Sequence, residues 1–170
     1  MTGPDGSLYL ADRDNHRIRR ITPDGTITTV AGTGVRGFSG NGGPALQAEL
    51  TSPVYIAADT AGNLIIGESG TCRLRRIAAD GTISVFAGTG EAGSSGDGGP
   101  ALDATFNLGA VAAGPDGSVY VSNRYRLRRI SPNGIVTTVA GDGVNDHTGD
   151  GGTAVNARLT GVGDIAVSSQ

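Results

Sequence analysis

Short runs rich in apolar and β-branched residues recur along the chain, each bounded by turn residues such as glycine, proline, aspartate or asparagine. A period of two puts neighbouring side chains on opposite faces, so these runs predict strands rather than amphipathic helices. The middle of the chain shows four such runs: Val54 to Ala58, Leu64 to Glu68, Cys72 to Ala78 and Thr82 to Ala87. Between the third and fourth lies Ala79-Asp-Gly81, matched by Pro23-Asp-Gly25 and Pro132-Asn-Gly134. The glycine of each supplies the positive φ that a tight turn needs. The second run is apolar on both sides: Leu64 and Ile66 face one way and Ile65 the other, as do Leu8 and Leu10 against Tyr9, and Val119 and Val121 against Tyr120. Such a strand belongs to a sheet covered on both faces.

The pattern repeats. Ile27-Thr-Thr-Val-Ala-Gly32, Ile83-Ser-Val-Phe-Ala-Gly88 and Val136-Thr-Thr-Val-Ala-Gly141 recur in register with Arg17-Ile-Arg-Arg-Ile21, Arg73-Leu-Arg-Arg-Ile77 and Arg126-Leu-Arg-Arg-Ile130. They also recur in register with Asn41-Gly-Gly-Pro-Ala45, Asp97-Gly-Gly-Pro-Ala101 and Asp150-Gly-Gly-Thr-Ala154. Three copies of a four-stranded unit predict an all-β chain, a β-propeller of four-stranded antiparallel blades with three blades per chain. The blades are read as strands at 7–31, 54–87 and 109–140. Glycine-rich arms, 34–52, 90–108 and 143–161, join them. In the first arm Pro44 opens a single helical turn expected to place Leu46 and Leu50 on one side, packed between blades.

Leu8-Tyr-Leu-Ala-Asp12, Asn15-His-Arg-Ile-Arg-Arg20, Pro23-Asp-Gly-Thr-Ile27 and the Gly37-Phe-Ser-Gly-Asn-Gly-Gly-Pro-Ala45 arm together resemble the NHL-repeat family, in the long-loop form of bacterial secreted proteins and teneurins. The resemblance covers essentially the whole chain. It implies a β-propeller, usually of six blades, and a family whose members are often extracellular or periplasmic. It also implies structural salt bridges between the aspartate that closes the second strand and the arginine that opens the third, here Asp12 with Arg17 and Glu68 with Arg73. The third copy has Asn123 before Arg126. Amidating lyases are NHL-like propellers that use metal, but their histidine set has no match in this chain.

Half a six-bladed ring per chain raises the question of closure. The first copy carries no first strand of its own, whereas Gly161-Val-Gly-Asp-Ile-Ala-Val167 matches Pro53-Val-Tyr-Ile-Ala-Ala58. The expectation is a homodimer in which residues 162–167 of each chain complete the 7–31 blade of the other, pairing Val162, Asp164, Ile165, Ala166 and Val167 with Leu8, Tyr9 and Leu10. The alternative is a fragment, excised or engineered, of a longer six-bladed chain.

Composition narrows the chemistry. Thirty glycines and 4% aromatics disfavour a helical bundle, and a net charge of −3 argues against nucleic acid as partner. Adjacent arginines at 19–20, 75–76 and 128–129 point to opposite faces of a strand, so they predict salt bridging rather than one basic patch. The only cysteine, Cys72, reads as a small packed strand residue, and the two histidines, His16 and His147, stand at unrelated repeat positions. No metal site, catalytic residue or cofactor is expected. The Asp-Gly arms resemble fragments of calcium loops but lack the oxygen spacing of an EF-hand. The first residues carry no signal-peptide pattern, and no apolar run nears the roughly 20 residues that span a bilayer, so no membrane partner is expected.

What remains is a binding face. The loops joining second to third strands, with the arms, gather Arg13, Asp14, Asn15, His16, Ser69, Thr71, Arg124, Tyr125, Arg36, Phe38, Glu91 and His147 on one side of a propeller. These residues differ between copies while the opposite turns hardly change. The function expected is a non-catalytic scaffold that self-assembles and binds protein or small ligands there. The competing class is a metal-dependent lyase or hydrolase on the same ring.

Overall fold

A computed structural model describes residues 1–3 and 5–168; Pro4 and residues 169–170 lie outside them. Among the described residues, eleven strands form three antiparallel sheets. The first holds β1 (Leu8–Asp12), β2 (Arg17–Ile21) and β3 (Ile27–Ala31). The second holds β4 (Pro53–Ala58), β5 (Leu64–Glu68), β6 (Arg73–Ile77) and β7 (Ile83–Ala87) in sequence order. The third holds β8 (Leu108–Ala113), β9 (Val119–Asn123), β10 (Arg126–Ile130) and β11 (Val136–Ala140), likewise in order. Each is an up-and-down meander, the blade that the repeat predicts. The β2–β3, β6–β7 and β10–β11 turns are built as expected: Gly25, Gly81 and Gly134 sit at φ +86°, +86° and +79°.

Cys72 departs from expectation. It lies in the turn before β6 at φ 51°, beside His16 at 51° and Arg124 at 59° in the equivalent turns. These are left-handed positions that a strand residue does not take. The helical turn of the first arm is a single 3₁₀ turn, Ala45–Gln47, and it splits the two leucines: Leu50 is fully buried while Leu46 points outward, 56% exposed. Leu50 lies beyond that turn, against Leu64, Ile66 and Ile83 of the second blade, which does not cover Leu46.

The arms close the core that the strands begin. Each folds back on its own blade, with Gly32 N–H donating to Ala45 O, Gly88 N–H to Ala101 O and Gly141 N–H to Ala154 O, all at 2.9 Å. The first arm then lies on the second blade. Gly42 N–H donates to Ile83 O at 2.8 Å, Ile83 N–H to Gly43 O at 3.0 Å, and Ala45 N–H to Gly81 O at 2.8 Å. The second arm lies on the third blade by the same three bonds, with Gly98, Gly99 and Ala101 meeting Val136 and Gly134. Leu50 and Phe106 are sealed at these two junctions.

The stack is open at both ends. Ile83 and Val136 are fully buried under an arm, but their counterpart Ile27 on β3 is 50% exposed. Leu64 and Val119 are buried, yet Leu8 is 49% exposed. At the other end Ala154, the counterpart of buried Ala45 and Ala101, is exposed.

Residues 162–167 form no strand in this chain; Val162 N–H reaches Arg124 O at 3.4 Å and Asp164 lies near Tyr9, Leu10 and Ala11 in the cleft framed by the inner strands. Nor is the expected acceptor edge wholly free. Met1 exchanges two hydrogen bonds with Tyr9, its ammonium donating to Tyr9 O and its carbonyl accepting from Tyr9 N–H, both at 2.9 Å, and Thr2 bridges Leu8. Since backbone groups alternate sides along a strand, only the stretch beyond Tyr9, with Ala11, faces the channel without a partner strand.

Candidate binding surfaces

The three Arg-x-Arg-Arg strands carry most of the polar machinery, and the alternation of faces along each decides where it points. Register shifts fall between Ile18 and Arg19, Leu74 and Arg75, and Leu127 and Arg128. The residue passed over is on the outer strand, Val30, Phe86 or Val139, and the ladder to the preceding strand runs unbroken, so Arg17 and Arg19 share one face, as do Arg73 and Arg75. The structure corrects the expected salt bridges. Asp12 and Arg17 are cross-strand neighbours, as are Glu68 and Arg73, but neither pair forms a bridge. Arg17 instead donates to Thr33 O at 2.7 Å, Arg73 to Thr89 O, and Arg126 to Asp142 O at 2.8 Å. Each guanidinium lies against a glycine, Gly34, Gly90 or Gly143, whose missing Cβ leaves the room. The carboxylates pair two residues further on: Asp12 with Arg19 at 3.6 Å and Glu68 with Arg75 at 3.8 Å.

Arg75 and Arg128 are fully buried at the junctions and grip the preceding arm. Arg75 donates to Ser39 O at 2.7 Å and Glu49 O at 3.0 Å; Arg128 donates to Ser95 O at 2.9 Å and Thr105 O at 3.0 Å. Burial pushes the Glu68 carboxyl above its ordinary range, against the pull of Arg75, and the same burial lowers Arg75. Asp97 meets Arg128 at 2.6 and 3.0 Å and accepts Thr138 N–H at 3.0 Å. Partial burial acts to raise Asp97, but the bonds from Thr138 and Arg128 outweigh it and hold the carboxyl below its ordinary range. The second arginines turn the other way, as alternation requires: Arg20 pairs with Asp5, Arg129 with Asp116 at 2.8 Å, and Arg76 lies over Phe86.

On the loop face the structure brings some expected residues together and leaves others apart. Ser69 and Arg124 line one cleft of about 380 Å³ with Cys72, Asn107, Ser122 and Val162. Arg124 and Tyr125 line a second, about 280 Å³, with Ser94, Asn107, Asn123 and Arg126. Arg124 sits 5.2 Å from the Tyr125 ring. The others are engaged locally or stand apart. His16 Nδ1 accepts Ser52 N–H at 3.3 Å, Asn15 donates to Asp12 at 2.8 Å, Thr71 to Glu68 at 3.0 Å, and Phe38 packs under Arg73 and Arg75. Arg13, Asp14 and Glu91 are exposed, Arg36 bridges Leu50 through its backbone, and the His147 side chain is in water.

Sequence reasoning missed the clefts' polar floor, Asn107, Ser122 and Asn123. Ser122 and Asn123 are buried, and the Ser122 hydroxyl and the Asn123 amide nitrogen have no hydrogen-bond partner among the described residues. The signal was present in Asn123, which stands where the other copies place Asp12 and Glu68. Among the described residues, no three His, Cys, Asp or Glu side chains gather to hold a metal ion, and no helix is long and apolar enough to cross a membrane.

No protein-family model matches the chain. Among curated proteins it is similar to Teneurin-3 of Mus musculus, 33% identical over 161 residues, 86% of this chain and 6% of that protein. It is similar also to Teneurin-4 of Homo sapiens, 31% identical over 161 residues, 86% of this chain and 6% of that protein. The chain thus spans only a small part of the length of these relatives. Among solved structures it superposes on a Bacteroides thetaiotaomicron protein of unknown function with a TM-score of 0.71 at 22% identity, covering 95% of this chain and 39% of that one. An auxiliary nutrient binding protein of the same organism gives 0.68 at 19%, covering 98% and 41%. A virginiamycin B lyase from Staphylococcus aureus gives 0.55 at 18%, covering 81% and 39%.

Proposed function

The chain is an NHL-like β-propeller, and from that premise we propose that it acts as a non-catalytic binding scaffold whose three blades join those of a second copy in one six-bladed ring. One observation carries this reading: the blade stack ends in two unlike open faces, each the counterpart of a face that is sealed inside the chain. Ile27 and Leu8 are exposed on one, Ala154 on the other, while the same repeat positions are buried at both internal junctions. A face of one kind meets a face of the other at every internal junction, so two copies related by a two-fold axis close with two identical contacts. Two such contacts bury on the order of 2,000 Å², the size of an obligate interface. The arm docking supplies the area. Residues 162–167 add a strand only along Ala11 unless Met1 and Thr2 are displaced.

The loop face is the ligand surface of this scaffold. The unpartnered Ser122 hydroxyl and Asn123 amide, with Arg124 and Tyr125 at the rim, suit a polar ligand, a small molecule or a peptide backbone. Light scattering coupled to size exclusion at micromolar concentration tests the ring. The expected mass is about 34 kDa, twice the 16.9 kDa chain. A mass of 16.9 kDa, or one that rises without limit as an open filament would, overturns it.

A further inference from the structure

We propose that the third arm of one copy docks on β3 of a second copy, with Asp150 of the arm latching onto the second copy's Arg19 and onto its Thr29 backbone N–H. This rests on the ring reading and names the contacts that close it. The third arm already has the shape of the two docked arms. Its fold-back bonds, Gly141 to Ala154 O and Asp142 to Ala157 O, both 2.9 Å, repeat those of the two docked arms. Gly151 holds φ +80°, against +83° at Gly42 and +82° at Gly98. A surface that needs no rearrangement loses little entropy on docking. By repeat position, Gly151 N–H then donates to Ile27 O, Ile27 N–H to Gly152 O, and Ala154 N–H to Gly25 O, as their counterparts do inside the chain.

The charges follow the same logic. Each buried junction arginine has one carboxylate, supplied from either of two places. Arg75 has Glu68 on its own blade, and Asn41 occupies the arm position. Arg128 has Asp97 on the arm, and Asn123 occupies the blade position. At both sealed junctions one site is amide and the other acid; the open junction has an acid at each, Asp12 on the blade and Asp150 on the arm. Arg19 is the third of this set, its side chain still 25% exposed, with Asp12 at 3.6 Å and no arm above it. Asp150 is exposed at the arm position and makes no salt bridge among the described residues. Asp97 also accepts the N–H of Thr138, and Thr29 is the residue at that place on β3. The carbonyls that would receive the Arg19 guanidinium are those of Thr148 and Arg158, counterparts of Ser95 and Thr105.

Complementation between two charge-reversed chains tests this. Arg19→Asp opposes two carboxylates across each junction, and Asp150→Arg opposes two guanidiniums. Each variant alone is expected to dimerise at least about tenfold more weakly than wild type, because a charge is buried against its like. Mixed in equal amounts, they form a heterodimer in which both junctions pair opposite charges, and the mass of about twice 16.9 kDa returns. Circular dichroism shows whether each variant is folded. If wild type dimerises but the variants dimerise equally well, or the mixture fails to recover while both stay folded, the latch is wrong and the ring stands. A wild-type monomer removes both.

Discussion

Phe106 is fully buried between the second arm and the third blade, with the Arg128 guanidinium 5.0 Å from its ring centre. Replacing it with alanine removes a whole aromatic side chain from a site closed by Ala101, Ala104, Val121 and Val136. Truncations of this kind cost about 3 to 5 kcal/mol, through lost transfer energy and the cavity left behind. The stacked guanidinium also loses its aromatic partner, worth about 0.5 to 2 kcal/mol when desolvated. Water entering the cavity to solvate Arg128 returns some of this, so about 3 kcal/mol is expected. For a chain of this length each kcal/mol lowers Tm by roughly 2 to 4 °C, giving a fall of about 6 to 12 °C. Leu159 occupies the same slot of the third arm and is only partly buried. Leu159→Ala should therefore cost the monomer less than about 1 kcal/mol. Urea denaturation followed by circular dichroism, below the concentration of dimer formation, measures both. Equal losses for the two variants would refute the argument that burial at the blade junctions, rather than the local repeat sequence, holds the fold together.

Removing one member of the buried Glu68–Arg75 pair should cost more than removing both. Glu68→Gln strands a guanidinium whose remaining partners are carbonyls, a loss of about 3 kcal/mol, while Glu68→Leu with Arg75→Met should lose less, read by urea melts. Asp116 is held down to about 2 by the Ser118 backbone N–H first and then Arg129. Its contribution to stability is full above the ordinary value of 3.8 and is lost as pH falls toward about 2. Asp116→Asn should thus flatten the fall of Tm between pH 4 and pH 2, and an unchanged slope would show that Asp116 does not carry it.

The repeat, the strands and the hairpin turns were legible because each is local: a period of two, a turn glycine forced to positive φ, and motifs recurring in one order specify a blade without reference to its neighbours. The opposed directions of Arg19 and Arg20, and of their counterparts, were legible for the same reason. The loop face was half legible. Ser69, Arg124 and Tyr125 reach the clefts, but their floor of Asn107, Ser122 and Asn123 lies on strands that a reading of loops passes over. What only the tertiary structure decided is which groups meet. Arg17 and Arg19 share a face beside Asp12, yet Arg17 is drawn to the Thr33 carbonyl and Asp12 meets Arg19, and an arm from the preceding repeat, up to 36 residues away, supplies the carbonyls that Arg75 holds. Leu50 and Leu46 are equally apolar in sequence, yet one is sealed and the other faces water because a neighbouring blade covers only one side of the arm. Local pattern sets the conformation of each element; burial and pairing depend on which surface another element brings against it, and that information is carried by contacts distant along the chain.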